Sequence, residues 1–220
     1  MEQYSVFDII GPRMTGPSSS HTAGAVRLSH TVRHIVGKPI SKVQFTLYGS
    51  FAETGRGHGT DKALIAGILG LYPDDARIKD AYQMAADADL LVDFEYSDEP
   101  VEHPNTVRIL ATDIDGEDTE AVGQSIGGGK ILITEINGLD VELTGDYPTI
   151  IIRHQDVPGV IAEVSHVLAQ LNINIAFMRV FRHDRGEDAY MCIETDTPVT
   201  KDMQTIILSL CKSIQQLFAI

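Results

Sequence analysis

Cysteine is nearly absent: the 220 residues contain only Cys192 and Cys211. Zinc and iron–sulfur centres usually need three or four ligands, so two distant thiols hold neither. Both stand in apolar patterns and read as core residues. Any metal cluster therefore belongs to another chain. Positive charge is also scarce. Against 31 Asp and Glu stand 17 Lys and Arg, giving a formal net charge of −14. That balance excludes a nucleic-acid partner, which needs clustered cations. No basic run suits a membrane surface, and no apolar run approaches the ~18 residues that span a bilayer. The opening Met1-Glu2-Gln3-Tyr4 has neither the basic nor the apolar region of a signal peptide. The expectation is a soluble, cytoplasmic chain. Internal repeats and low-complexity segments are missing too.

What is present suffices for one large domain or two small ones, since 43% of residues are apolar. The final third separates cleanly after Gly145-Asp146-Tyr147-Pro148. Residues 149–153 form an apolar β run. Val157, Val160, Ile161, Val164, Val167, Leu168 and Leu171 then recur at helical spacing, with Pro158 in the first turn. Two strands over 174–182 and 188–195 flank a turn at Asp184-Arg185-Gly186. A helix over 200–211 buries Met203, Ile206, Ile207 and Leu210, and a strand over 213–220 follows. The order βαββαβ is a ferredoxin-like sandwich. The first two-thirds are mixed α and β. Strands are expected over 4–10 and 42–48, and helices over 21–36, 60–69 and 75–88. Residues 90–143 are β-rich. The fold class is thus α+β, with domains at 1–145 and 148–220.

Several segments carry chemistry. Gly16-Pro17-Ser18-Ser19-Ser20-His21-Thr22-Ala23-Gly24 precedes a helix. Free N–H groups at a helix start, with several hydroxyls, suit a small carboxylate. One serine suffices for ordinary capping, and three followed by His and Thr exceed that need. Adjacent Ser20 and His21 do not make a hydrolase triad, whose members meet in space. Arg56-Gly57-His58-Gly59-Thr60-Asp61 opens a helix. Its glycines leave the imidazole uncrowded, and such a histidine can take a proton from acidified carbon. A solvated loop is the plainer alternative. Glu102-His103-Pro104-Asn105-Thr106 offers polar groups or a simple loop. Ser125-Ile126-Gly127-Gly128-Gly129-Lys130 lacks the strand–loop–helix order of a phosphate cradle and reads as a bulge or hairpin. His30 and His34, at i and i+4 without the glutamate of a zinc-protease motif, read as a partly packed polar face.

The string Asp156-Val157-Pro158-Gly159-Val160-Ile161, with Asn172-Ile173-Asn174-Ile175, resembles the ACT domain, which binds small amino acids at subunit interfaces. GPSSSHTAG at 16–24, GHGTD at 57–61, HPNT at 103–106 and SIGGG at 125–129, followed by an ACT domain, resemble the β subunits of two-chain bacterial L-serine dehydratases. The first domain is also similar to the allosteric substrate-binding domain of some phosphoglycerate dehydrogenases. The resemblance implies an oxygen-sensitive lyase that converts L-serine to pyruvate and ammonia. It implies a 4Fe–4S cluster in a partner α subunit, acting as Lewis acid, with this chain supplying half the site and no metal ligand. By the same resemblance, Ser18, Ser19, Ser20, His21 and Thr22 grip substrate. His58 is the base or orients it, Thr60 and Asp61 support it, and His103 and Asn105 line the cleft. In the ACT domain, His154, Asp156, Pro158, Gly159 and Asn174 match effector-binding positions. Asp156 stands where the serine-sensing relatives have Asn, and a carboxylate there favours an ammonium and repels a carboxylate. Homodimerisation through the ACT or the first domain is the other role open to these elements. A non-catalytic amino-acid receptor is the rival reading of the whole chain.

Overall fold

A computed structural model describes residues 13–219 apart from His183. The strand expected over 4–10 lies outside the described residues. The chain divides into two compact units between Gly138 and Leu139.

The first unit opens with a π-helical turn, Ser19–Gly24, that runs directly into helix α1, Ala25–Val36. Val26, Leu28, Val32, Ile35 and Val36 of α1 are buried, as helical spacing requires for an inward stripe. Gly37 ends the helix at φ +69°, a left-handed position that glycine takes without strain. Strand β1, Ile40–Tyr48, buries alternate residues Val43, Phe45 and Leu47. Helices α2, Gly49–His58, and α3, Thr60–Ile68, follow with one residue between them. The expected helix over 75–88 is formed in two pieces. A 3₁₀ segment, Ala76–Asp80, leads into α4, Ala81–Asp87.

Within the first unit, strands β2, Leu91–Ser97, β3, Thr106–Asp113, β4, Asp118–Gly127, and β5, Lys130–Ile136, line up with β1 in the order β2-β1-β3-β4-β5, and the second unit opens with strand β6, Leu139–Leu143. Strands β1 and β2 run parallel, as their crossover through three helices demands. Strand β1 pairs antiparallel with β3, β3 with β4, and β4 with β5. Helix α1 lies so close to the sheet that a Cβ on Gly123 would be 2.6 Å from Leu28 Cδ2. The glycine run 127–129 is the β4–β5 hairpin, and all three residues have positive φ.

In the second unit, β7, Thr149–Gln155, α5, Val160–Gln170, β8, Ile175–Arg182, β9, Asp188–Thr195, α6, Lys201–Leu210, and β10, Ile214–Ala219, follow the βαββαβ order. The antiparallel sheet is ordered β10-β7-β9-β8. Ile150, Ile152, Met191 and Ile193 from the sheet meet Val164, Leu168 and Ile207 from the helices. Pro158 lies ahead of α5 rather than in its first turn, because Gly159 at φ +101° makes the bend into the helix. On α6 only Ile207 of the expected stripe is fully buried. Ile206 and Leu210 face outward at 39% and 51% exposure.

Candidate active site

Four separated segments converge on the start of α1. Ser18 has extended backbone, and its Oγ accepts the His21 N–H at 3.2 Å, so it caps the turn. Ser19 and Ser20 sit half-buried in that turn, and His21 and Thr22 are buried. The π-helical winding is a local widening that often marks a site. It is braced from the sheet, where buried Ser125 donates its hydroxyl to the Ser20 carbonyl at 3.1 Å.

Helix α2 forms the next wall. Ser50, Thr54 and His58 stand at i, i+4 and i+8, so they share one face. Nε2 of His21 lies 3.1 Å from Thr54 Oγ1 and 3.3 Å from Ser50 Oγ. The His21 ring meets Phe51 edge-on at 5.2 Å, and the His58 ring is 4.9 Å away. Burial pushes the His21 imidazole below its ordinary value, and His58 adds to this, while the Ser50 carbonyl opposes it. His21 is therefore neutral at pH 7. His58 is the exposed last residue of α2, not part of a loop, and its Nδ1 lies 3.1 Å from the Thr54 carbonyl. The helix was hidden because Gly49, Gly55 and Gly57 all fall within it. Gly59, left-handed at φ +73°, then separates His58 from α3.

The loop before β3 closes the group. Gly49 at φ +50° abuts Pro104, whose carbonyl accepts the Phe51 N–H at 3.4 Å. Asn105 accepts the Ser125 N–H at 2.9 Å through its backbone and donates Nδ2 to the Ser125 carbonyl at 3.4 Å. His103 turns inward on its own loop, its Nδ1 accepting the Asn105 N–H at 3.2 Å.

Thr60 and Asp61 do not join His58. Thr60 is fully buried beside Gly55. Asp61 accepts the Lys62 N–H at 2.8 Å and the Tyr82 hydroxyl at 2.9 Å. Burial, and then this hydrogen bond, raise the Tyr82 phenol well above its ordinary value. Ser50 and Thr54 are the residues that reading the sequence missed. Their four-residue spacing to His58 was the available signal, and it means nothing until residues 49–58 are seen as helix.

Among the described residues, the buried side-chain atoms without a hydrogen-bond partner are Thr22 Oγ1, Thr60 Oγ1, Asn105 Oδ1 and His154 Nε2. Each such atom costs about 1–3 kcal/mol if nothing meets it. All four belong to residues singled out by motif.

In the second unit, His154 is buried with Nδ1 2.9 Å from the Gln155 carbonyl. The carboxylate of Asp156 is taken: its Oδ2 accepts from Arg182 at 2.6 Å, which holds its pKa below the ordinary carboxylate value. Asn174 donates to Asp196 at 2.7 Å. Pro158 and Gly159 are exposed in the bend.

Comparison with known proteins decides the family. A family model described as serine dehydratase beta chain matches residues 5–91, and one described as ACT domain matches residues 148–212. A probable L-serine dehydratase beta chain of Bacillus subtilis is 48% identical over 89% of this chain and 89% of its own length. The chain belongs to the L-serine dehydratase beta-chain family. The L-serine dehydratase beta chain of Peptoniphilus asaccharolyticus is 40% identical over 94% of each chain. A D-3-phosphoglycerate dehydrogenase of Synechocystis is 27% identical over 80% of this chain, which spans 32% of that protein. The described part of the chain has no helix long and apolar enough to cross a membrane.

Proposed function

We propose that this chain is the β subunit of a cytoplasmic L-serine dehydratase and supplies half of an active site completed by an α subunit. The observation that carries this is the meeting of His21, His58, Ser50, Thr54, Asn105 and Ser125 around one turn, in a chain of this family.

The turn Ser19–Gly24 and its hydroxyls hold the serine carboxylate and ammonium, and the unmatched oxygens of Thr22 and Asn105 are polar groups awaiting a partner there. His58, exposed at the end of α2, takes the α-proton. The released electron pair forms the Cα–Cβ double bond and the β-hydroxyl departs as water once protonated. The 2-aminoacrylate so formed tautomerises to an imine, and water hydrolyses that to pyruvate and ammonia. Neutral His21 donates a hydrogen bond within the site rather than competing for the proton.

The family's 4Fe–4S cluster is assigned here to the α subunit. The residues of this chain do not fit it as ligands. Cys192 and Cys211 are both buried, and burial raises their thiols to about 12 and about 11, far from thiolate character. Among the described residues no group of three or more His, Cys, Asp or Glu is placed to hold a metal.

In the ACT unit, the effector reading rests on His154, whose buried Nε2 has no hydrogen-bond partner among the described residues. Asp156 and Asn174 contribute structure instead, since Arg182 and Asp196 occupy their side chains. Pairing of two copies through this unit is the second role assigned to it.

Serine-dependent pyruvate formation, measured anaerobically with a reconstituted iron–sulfur α subunit, tests the proposal. Activity should need both chains, and His58→Ala should lower turnover by about 10²- to 10⁴-fold. Full activity in His58→Ala removes this residue as base. No activity with any competent α subunit leaves a non-catalytic amino-acid receptor as the reading.

A further inference from the structure

We infer that Thr54 is a positioning residue that fixes both site histidines, directing Nε2 of His58 as the base atom and His21 as an Nε2–H donor. This rests on the dehydratase reading for its catalytic meaning, but not for its geometry.

The hydrogen-bond directions follow from which groups have protons to give. A carbonyl oxygen only accepts. The Thr54 carbonyl lies 3.1 Å from His58 Nδ1, so Nδ1 carries the hydrogen and donates it. In the neutral ring, the lone pair is then on Nε2. That is the atom able to take a proton from carbon. When it does so, the ring becomes an imidazolium and the Nδ1–H bond to the carbonyl strengthens.

The Thr54 hydroxyl governs the other ring. It lies 2.9 Å from the Ser50 carbonyl, to which it donates its own hydrogen. Its oxygen then has only lone pairs to offer His21 Nε2 at 3.1 Å. Nε2 of His21 therefore carries a hydrogen, and Nδ1 accepts. Ser18 Oγ, 3.4 Å from His21 Nδ1, is placed to donate to it. Thr54 thus bears on both tautomers, through its main chain for one ring and its side chain for the other, and the Ser50 carbonyl, 3.5 Å from His21 Nε2, accepts alongside the Thr54 hydroxyl. The two rings are driven to opposite tautomers 4.9 Å apart, one presenting a base and the other a donor. Burial of His21 keeps its ring neutral and this arrangement intact.

The test uses the full ¹⁵N-labelled chain and Thr54→Val, which keeps shape and main chain but removes the hydroxyl. Long-range nitrogen–proton spectra of the imidazoles, recorded where they are neutral, report the tautomers. Signals are assigned with His21→Gln and His58→Gln. The wild type should show His58 protonated at Nδ1 and His21 at Nε2. In Thr54→Val, His58 should keep its tautomer, whereas the His21 Nε2–H signal should move and exchange faster with water. Thr54→Ser should restore it. A His58 signal at Nε2–H, or an unmoved His21 signal in Thr54→Val, overturns the inference. With the α subunit present, Thr54→Val should lower kcat about tenfold to a hundredfold with a smaller change in KM, and Thr54→Ser should recover most of it. A merely structural residue would lower thermal stability and leave the His21 signal in place. Because the spectra need no activity, failure of the dehydratase reading and failure of this inference remain separate results.

Discussion

Gly24 has no room for a side chain. A Cβ there would stand 2.0 Å from Oγ and 2.8 Å from Cβ of Ser125. The backbone is right-handed at φ −63°, so the constraint is space and not conformation. The close approach lets Ser125 reach the Ser20 carbonyl and brace the serine turn. Gly24→Ala should therefore destabilise the protein by about 1–3 kcal/mol, as overpacking does. The obstacle is a side chain, so it can be removed. Urea unfolding of Gly24→Ala, Ser125→Gly and the double variant should show coupling of about 1 kcal/mol or more, with the double variant more stable than the sum of the singles. Strict additivity would mean that the turn is not seated on Ser125. The same residue pair shows what the sequence concealed. Ser125 was legible only as part of a glycine-rich hairpin, since Ser20, whose carbonyl it reaches, is 105 positions away.

Helices α1 and α3 pose the same problem with a different answer. A Cβ on Gly67 would be 2.1 Å from Ser29 Oγ, 2.3 Å from the Val26 carbonyl oxygen and 2.9 Å from the His30 nitrogen. Two of these atoms are backbone and cannot be trimmed. Gly67→Ala should cost roughly 3 kcal/mol by the upper range for overpacking, and adding Ser29→Ala should recover little of it. Thermal unfolding of the two variants checks this, and full recovery would place the strain on the serine alone. Apolar spacing made α1 legible, because Leu28, Val32 and Ile35 recur on its buried side. The ferredoxin-like unit was legible for the same reason, strand by strand. Helix α2 was not. Three glycines in ten residues cost about 1 kcal/mol each relative to alanine, so local preference argues against a helix there. Tertiary contacts override it. Phe51 is fully buried, Gly49 lies against Pro104, and Gly55 lets Thr60 close on the helix. The motif histidines were therefore visible, while the face that aligns Ser50, Thr54 and His58 was not.

Across the whole molecule, acid acts through two opposed effects. The chain carries a formal net charge of −14, so protonating carboxylates relieves self-repulsion as pH falls. Buried and half-buried histidines act the other way. His21, His30 and His34 are all pushed below the ordinary imidazole value, in each case chiefly by burial. His30 goes lowest, to about 4, because His34 and Arg33 add their charges to the burial. Its ring lies 4.7 Å from His34 and 5.0 Å from Tyr72. Between the unfolded value of 6.5 and the folded value of about 4, the unfolded chain binds a proton that the folded chain refuses. Stability must then fall as pH falls through that window, and the loss is complete below it. Discounted for partial exposure of the ring, the His30 share is about 1–2 kcal/mol. His30→Gln removes the titration but leaves the net charge at pH 7 unchanged. Urea unfolding from pH 7 to pH 4 should show the wild type losing more stability than His30→Gln, with the two curves diverging from about pH 6.5 downward. Parallel curves would mean that His30 titrates alike in both states. The acid limit would then belong to the remaining histidines and to the carboxylates, such as Asp156, that their ion pairs hold ionised.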